Sequence, residues 1–308
     1  MTVALILGFN LLAGFNDGGN LLATLLPSRI RPILLWLWLA VVVSLGPIIV
    51  GTAVADTIVR RIVTPADLGP ILTPAILSAL VVVLVSWWGR LPTSMSLALI
   101  GAMAGSGAVA GSHVLWGGAL RALVGFILTV LMGSLLGLLA ARYGRQLLRR
   151  LRRGALVSVL LMATALLEGL AYGANDLEKA IGLLQFSGLG AQGAILLSSL
   201  SFAAGSAFGS WRIARTVSSR ILRLRPPEAL YTQAATGLSV LAAAAIGIPV
   251  STSQTVDASL IGVGTAENPR HVGWSVARRM MVAWFVTPVA AFLMGGAFMW
   301  IAVRLLNA

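Results

Sequence analysis

Two short patterns occur once in each half of this chain, in the same order and at almost the same spacing. Residues 14–17 (GFND) correspond to residues 173–176 (GAND), and residues 92–96 (PTSMS) correspond to residues 249–253 (PVSTS). Two glycines further along each half also recur, as Gly105 and Gly107 and then as Gly262 and Gly264. Three landmarks in one order predict an internal duplication, so the fold must accommodate two copies of one unit.

Very few residues in the chain carry a charge. Of 308 residues, 58% are apolar and only 10% are charged, against about 25% in soluble domains. So few charges cannot cover a soluble surface, and the remaining apolar area requires lipid as its solvent. We predict an all-α polytopic membrane protein of roughly ten to twelve membrane segments, since one span takes about 20 apolar residues. Residues 1–13 lack the basic flank of a signal peptide and are predicted to begin the first membrane helix.

Several classes of function are excluded by composition. There is no Cys and there are only two His, so disulfides, thiolate metal sites and a His-based catalytic metal are not predicted. The net charge of +13 comes largely from Arg blocks between apolar segments, which is typical of cytoplasmic loops and not of a nucleic-acid surface. We predict no nucleic-acid partner, no cofactor and no enzymatic activity.

The arginines also predict how the two copies are oriented. Residues 142–154 form a basic linker, predicted to be cytoplasmic, between a first half (1–141) and a second half (155–308). Both termini have few charges and are predicted to lie outside, which requires an odd number of crossings in each half. Odd-numbered repeats are inverted, and inverted repeats with broken helices and helical hairpins are the architecture of secondary transporters. The oligomeric state stays open, with a homodimer as one alternative.

An Asn-Asp pair lies deep within an apolar segment of each half, where it is expected to interrupt a helix. The pairs are Asn16 with Asp17 and Asn175 with Asp176. A carboxylate inside the membrane costs a few kcal/mol or more unless it has a partner, and it therefore indicates function. A polar helix contact or a cap is the structural alternative for one pair. The presence of two symmetric pairs favours a functional site.

The Pro-x-Ser patterns predict that a helix starts in each half. Pro and Ser are favoured in a first helical turn, so helices are expected over residues 97–111 and 255–264. The hydroxyls could serve only as caps. A buried helix N-terminus with free N–H groups and hydroxyls is also an anion site. Two mirrored N-termini therefore predict a clamp for one tetrahedral oxyanion.

These patterns resemble the duplicated signatures of the PiT family of inorganic phosphate transporters, Gly-Ala-Asn-Asp-Val-Ala-Asn-Ala and Pro-Val-Ser-Thr-Thr-His. The resemblance covers the whole chain and implies an inverted-repeat carrier that imports phosphate with Na⁺ or H⁺, while some bacterial relatives carry sulfate. It implies that the substrate and ion site, including any Na⁺, is formed by Asn16, Asp17, Asn20, Asn175 and Asp176. It implies that the anion is cradled by Ser94, Ser96, Ser251, Thr252 and Ser253.

The chain departs from these signatures in both halves. The closing His is Leu97 in the first copy and Gln254 in the second, and we include Gln254 among the substrate-binding candidates. Residues 177–179 (LEK) replace Val-Ala-Asn, so Lys179, the only lysine, stands where the family has Asn. Two further carboxylates in apolar surroundings have no counterpart in the signatures, Glu168 and Asp257.

Lys179 is predicted to replace a bound cation. An ammonium carries the charge of Na⁺ and is tethered, and it could pair with Asp176 or Asp17. Glu178 could instead be its partner, or Lys179 could extend to the membrane interface. Because a desolvated ammonium can lose its proton, this substitution predicts coupling to H⁺ or no coupling, with Na⁺ as the alternative ion.

The two aspartates favour phosphate over sulfate as the substrate. Phosphate keeps at least one proton at neutral pH and can donate it to a carboxylate such as Asp17, whereas sulfate only accepts. Lys179 has the opposite effect, because it would neutralise an aspartate permanently. We predict a phosphate importer that works by alternating access, with a sulfate permease and then an anion channel as alternatives. A membrane enzyme acting on lipid phosphates is not predicted, because no nucleophile and base are paired.

Overall fold

The computed structural model describes residues 2–28, 30–88, 93–151 and 154–306, and nearly all of these residues are helical. The first half contains α1 (Thr2–Leu25), α2 (Pro32–Val50), α3 (Ala53–Arg60), α4 (Pro65–Trp88), α5 (Met95–Ala110) and α6 (Trp116–Leu151). The second half contains α7 (Gly154–Tyr172), α8 (Glu178–Phe186), α9 (Ala191–Arg220), α10 (Pro226–Ala245), α11 (Thr252–Glu267) and α12 (Trp274–Leu306). The described residues contain no β-strand.

Within the part of the chain that the structure describes, six helical segments are long and apolar enough to cross a membrane. They comprise α2, α4, α6, the segment from Leu156 to Phe186, α9 and α12. Large apolar side chains on these helices are exposed, for example Val85 and Leu293 at 63% and 66%, which is the expected arrangement where lipid is the solvent. The prediction of an all-α polytopic membrane protein is confirmed.

The helices that begin at the Pro-x-Ser patterns lie inside the molecule. Helix α5 has Ser94 as its N-cap and α11 has Ser251, and both helices are buried over most of their length. The two helix starts predicted from the sequence are therefore confirmed. Pro92 itself lies outside the described residues.

Glycines allow the central helices to touch through their backbones. A Cβ on Gly14 of α1 would lie 2.0 Å from the Phe202 carbonyl oxygen of α9, and one on Gly105 of α5 would lie 1.9 Å from that of Phe292 in α12. A Cβ on Gly262 of α11 would likewise lie 2.0 Å from the Ser134 carbonyl oxygen of α6. Close approach at small residues is typical of helix packing in membranes. The recurring glycines of the sequence thus serve to pack α5 and α11 against their neighbours.

The expected helix interruption occurs in the second half only. A π-helical turn, Gly173–Leu177, separates α7 from α8 and contains the second Asn-Asp pair. In the first half, α1 is continuous through Asn16 and Asp17, so the prediction of a break there is wrong. The glycines that follow Asp17 pack against α9 instead of unwinding the helix, since a Cβ on Gly18 would lie 2.9 Å from Ser206.

The arginine-rich segment is mostly helical. Helix α6 continues to Leu151 and α7 begins at Gly154, while residues 152 and 153 lie outside the described residues. On this segment Arg145 pairs with Glu267 at 3.2 Å. The described part of the predicted linker therefore extends α6, and the division of the chain into two inverted halves stays a prediction.

Candidate functional site

The residues predicted to form the site come together where α1, the π-helical turn and α8 meet the N-terminal ends of α5 and α11. Every hydrogen bond of the site described below joins two of these five elements or lies within one of them. The candidate side chains that are buried here are Asp17, Asn20, Ser94, Ser96, Asn175, Asp176, Lys179, Ser251, Thr252, Ser253 and Gln254. Asn16 is partly buried. Hydrogen bonds and the start of α11 join eight of the candidates from both halves into one polar cluster: Asn16, Asp17, Ser96, Asn175, Asp176, Lys179, Thr252 and Ser253. Four more are buried without a side-chain bond to this cluster in the described structure: Asn20, Ser94, Ser251 and Gln254.

The ammonium of Lys179 is enclosed by three protein oxygens. It donates to Asp176 Oδ1 at 2.6 Å, to Ser96 Oγ at 2.5 Å and to the Val250 carbonyl at 3.2 Å. An ammonium has three N–H donors, so none remains for another ligand. The side chain is 2% exposed, and the alternative in which Lys179 extends to the interface is wrong. Carboxylate, hydroxyl and carbonyl oxygens are also the ligands that hard cations take in proteins.

Asn175 fixes the backbone that supplies one of these oxygens. Its Nδ2 lies 2.9 Å from the Val250 carbonyl oxygen, 2.8 Å from Thr252 Oγ1 and 3.0 Å from Asp176 Oδ1, so two N–H donors are shared among three acceptors. Its Oδ1 accepts from the Val250 N–H at 3.0 Å. The Asn-Asp pair therefore orients both the carboxylate and the start of α11.

The first half repeats this arrangement without an ammonium. Asn16 Nδ2 donates to Asp17 Oδ1 at 2.8 Å and to the Thr93 carbonyl at 3.4 Å. Ser253 Oγ donates to Asp17 Oδ1 at 2.5 Å. By the repeat spacing, Asn20 occupies the position of Lys179, and no ion pair of Asp17 occurs among the described residues.

One serine hydroxyl from each half contacts a charged residue of the other half. Ser96, at the start of α5, contacts the ammonium of the second half and donates to the Val250 carbonyl at 2.9 Å. Ser253, at the start of α11, contacts Asp17 of the first half. Asp17 is therefore bonded directly by the helix start of the opposite half, whereas Asp176 is reached from the start of α5 only through Lys179.

The two helix N-termini differ in their caps. Ser94 Oγ accepts from the Leu97 N–H at 3.2 Å and so caps α5. Ser251 occupies the N-cap of α11 but its side chain makes no capping bond. The first N–H groups of a helix have no partner within the helix, so the start of α11 is the better donor surface for an anion.

Glu178 lies elsewhere. Its Oε2 accepts from the Val54 and Ala55 N–H groups at 2.9 and 3.2 Å, at the start of α3. A carboxylate is stabilised at a helix N-terminus by the free N–H groups and the helix dipole. The expectation that Glu178 belongs to the ion site or pairs with Lys179 is wrong, since the ammonium pairs with Asp176.

Some residues of the site were not predicted. The carbonyls of Thr93 and Val250 accept hydrogen bonds at equivalent positions of the two halves. Their equivalent positions in the repeated Pro-x-Ser pattern could have indicated them from the sequence. Tyr172 is fully buried beside the π-helical turn. Its first-half counterpart is Ala13, so the repeat gave no indication of it.

The sequence matches the Phosphate transporter family over residues 13–157 and 148–295. The chain belongs to the Phosphate transporter family. The resemblance stated from the signatures is thereby confirmed, and the family consists of transporters and not of enzymes.

Members of this family from distant bacteria align with nearly the whole chain. A probable low-affinity inorganic phosphate transporter of Rhizobium meliloti (strain 1021) is 32% identical over 94% of this chain and 92% of its own length. One of Bacillus subtilis (strain 168) is 28% identical over 95% and 94%. A solved structure of a sodium-dependent phosphate transporter has a TM-score of 0.81 at 19% identity, covering 98% of both chains. That likeness shows that the two chains share a fold.

Proposed function

We propose that this protein carries inorganic phosphate across the membrane by alternating access, coupled to H⁺ or uncoupled, and without Na⁺ at the position that Lys179 occupies. Family membership and the named relatives support phosphate transport. The observation that carries the coupling part is the ammonium enclosed by Asp176, Ser96 and Val250. This ammonium is tethered to the chain, and all its N–H donors are used by protein oxygens. It therefore occupies a cation position permanently.

The charges of the site support phosphate over sulfate. Lys179 pairs with Asp176, so the ammonium neutralises a carboxylate and does not bind the anion. Asp17 accepts hydrogen bonds from Asn16 and Ser253, but no cation pairs with it in the described structure. A phosphate that keeps a proton can donate it to Asp17, whereas sulfate only accepts and would be repelled. The relatives, which are named as phosphate transporters, agree with this choice.

The anion is proposed to bind between the start of α11 and the Asn-Asp pairs. Ser251 is the N-cap residue there, but its side chain makes no capping bond. The amide nitrogen and the amide oxygen of Gln254 have no partner in the described structure. Asp176 Oδ2 is also unpartnered and can accept from a protonated phosphate oxygen. Donors from the helix start and acceptors from the carboxylates together match an anion that both accepts and donates.

Purified protein in liposomes tests this proposal. Labelled phosphate should accumulate under an inward proton gradient or equilibrate without one, and replacing Na⁺ by choline should leave the rate unchanged. Excess sulfate should not compete with labelled phosphate. Uptake should saturate, and trapped unlabelled phosphate should accelerate entry of the label, which a channel does not show. A strict requirement for Na⁺ would contradict the coupling assignment, and preferential sulfate uptake would contradict the substrate.

Removing single hydroxyls from the two helix starts should separate binding from capping. Ser251→Ala deletes a donor to a charged ligand, which costs about 1.5 to 3 kcal/mol, so the apparent phosphate affinity should fall roughly tenfold to a hundredfold. Ser94→Ala should cost affinity as well and also lower stability by about 0.5 to 2 kcal/mol through the lost cap. Uptake kinetics and thermal unfolding measure the two effects. Unchanged affinity in both variants would remove these two serines from the anion site.

We also propose that the arginine-rich segment faces the cytoplasm and that both termini lie outside. The support is the basic charge of residues 142–153 and the scarcity of charge near the termini. A cysteine placed at Arg149 should be protected from an impermeant thiol reagent added to intact cells. Cysteines added at the two termini should be labelled, and the chain has no native Cys to interfere. Termini on opposite faces would contradict the inverted repeat.

A further inference from the structure

Two helices that lead to the substrate site, α7 and α11, each carry further buried polar side chains, which we call together the α7–α11 cluster. It consists of Glu168 and Tyr172 on α7 and of Gln254 and Asp257 on α11, and none is more than 2% exposed. Each has at least one polar atom without a partner in the described structure. Those atoms are Glu168 Oε1, Tyr172 Oη, both amide atoms of Gln254 and Asp257 Oδ1. Unpartnered buried polar atoms are rare in native proteins, and each one calls for a physical explanation.

The cluster is continuous with the substrate site. Glu168 and Tyr172 lie one helical turn apart on α7, and Asp176 follows after one more turn. Gln254 and Asp257 lie about one turn apart on α11. The Tyr172 hydroxyl is within electrostatic reach of Glu168, Asp17, Asp176 and Asp257. The hydroxyl has no hydrogen-bond partner in the described structure, and it interacts electrostatically with carboxylates of α1, of α11 and of the segment from α7 to Asp176.

The cluster has no counterpart in the first half. By the repeat spacing, the first-half equivalents of its four members are Phe9, Ala13, Leu97 and Ile100. The Asn-Asp pairs and the serines, by contrast, occur in both halves. The α7–α11 cluster is therefore an asymmetric addition to the duplicated site, with a task that one copy performs alone.

The charged side chains that face Asp257 in the described structure do not neutralise its carboxylate. Helix α1 presents Asp17 and α7 presents Tyr172, and both are within electrostatic reach of Asp257. Where α6 and α10 pack on α11 near Asp257, they offer glycines and a Thr236–Ser259 hydrogen bond. Arg145, Glu228 and Glu267 form a separate group at the C-terminal end of α11.

The other arginines of α6 and α12 whose exposure is described, Arg121, Arg142, Arg278, Arg279 and Arg304, are exposed at the surface. The ammonium of Lys179 is fully used by Asp176 and its neighbours. Among the described residues, Asp17, Glu168, Asp176 and Asp257 are buried carboxylates with one buried ammonium between them, while buried Glu178 is held by backbone N–H groups of α3. Isolated buried charge is so costly that it must be neutralised by a bound cation or a proton.

We propose that Asp257 is a proton-binding residue, which gains and loses one proton in each transport cycle, with Tyr172 linking it to Asp176. This inference rests on the proposed phosphate transport and names the residue that carries its coupling proton. The proton adds to a carboxylate oxygen and gives a neutral carboxylic acid, and its release restores the carboxylate. No other bond forms or breaks.

The neutral neighbours of Asp257 suit both of its protonation states. Gln254 has a free amide nitrogen, which can donate to a carboxylate, and a free amide oxygen, which can accept from a carboxylic acid. The Tyr172 hydroxyl can likewise donate or accept. A proton needs a single oxygen, whereas a metal cation needs several at once, and the helical backbone carbonyls here are engaged within their helices.

Asp257→Asn, which mimics the protonated state permanently, provides the transport test. The variant should exchange labelled for unlabelled phosphate at a rate close to that of the unmodified protein. It should lose accumulation driven by an inward pH gradient, which for one coupled proton reaches about tenfold per pH unit. The matched control is Asp56→Asn, the same change at an exposed carboxylate of α3 that pairs only with exposed Arg60. Accumulation that persists in Asp257→Asn would overturn the proposal.

Infrared difference spectroscopy on the purified protein tests proton binding without transport. A carboxylic acid band should change with pH in the unmodified protein and in Asp56→Asn, and it should be absent from Asp257→Asn. If phosphate is not transported but this band is present, the proposed function fails and the proton site stands. A band that is identical in Asp257→Asn overturns the proposal. So does accumulation driven by a Na⁺ gradient that Asp257→Asn abolishes, because the residue would then bind Na⁺.

Discussion

Asp17→Asn and Asp176→Asn should each reduce phosphate uptake to background. The two carboxylates are the charged acceptors of the candidate site, and an amide removes both the charge and one acceptor oxygen. Asp17 accepts from Ser253 and Asn16, so its substitution disturbs the anion site without leaving an unpaired charge. The measurement is initial uptake into liposomes, with Asp56→Asn as the control. Normal uptake by either variant would remove that aspartate from the site.

The two variants should differ in stability. Asp176→Asn leaves the buried ammonium of Lys179 without its counter-charge, and breaking a buried ion pair costs about 3 to 5 kcal/mol. Asp17→Asn has no such ion pair to break. Thermal unfolding in detergent should therefore show a large loss for Asp176→Asn and a small one for Asp17→Asn. Equal losses would mean that the Lys179 pair does not have the buried character seen in the structure.

Lys179→Asn should convert the carrier to dependence on Na⁺. The variant has Asn at position 179 as well as at the equivalent Asn20 of the first half. Removing the ammonium leaves the oxygens of Asp176, Ser96 and Val250 free to bind an exchangeable cation. Uptake without Na⁺ should fall at least tenfold, and added Na⁺ should restore part of it. The control is Lys179→Met, which removes the charge without providing an amide oxygen and should recover less. Full activity of Lys179→Asn without Na⁺ would contradict the role of the ammonium as a cation surrogate.

Much of the fold followed from patterns that recur along the chain. The starts of α5 and α11 could be predicted because Pro and Ser near a first turn have a local reason to be there. Membership of the membrane class followed from the scarcity of charge. The meeting of Asn16, Asp17, Asn175 and Asp176 could be anticipated because symmetric positions in a duplicated chain are brought to one interface.

Other features depended on contacts that a single sequence does not reveal. The path of α1 through Asp17 could not be predicted, because Gly18 and Gly19 pack against α9 and only the fold brings α9 there. Glu178 was misplaced because its partners are backbone N–H groups of α3, a distant segment. Tyr172 and Asp257 were not placed in any site, because their counterparts Ala13 and Ile100 are apolar.

The glycine contacts between helices have a mechanical consequence. Where Gly105 of α5 and Gly262 of α11 lie against a neighbouring backbone, sliding one helix along the other would drive bulkier side chains into a carbonyl. The pairs α5 with α12 and α11 with α6 should therefore each move as one stiff strut. The serines of the two helix starts are fixed to different struts, so the site can open only as the struts separate. Gly105→Ala or Gly262→Ala would then act as a wedge within a strut and slow turnover without touching the anion.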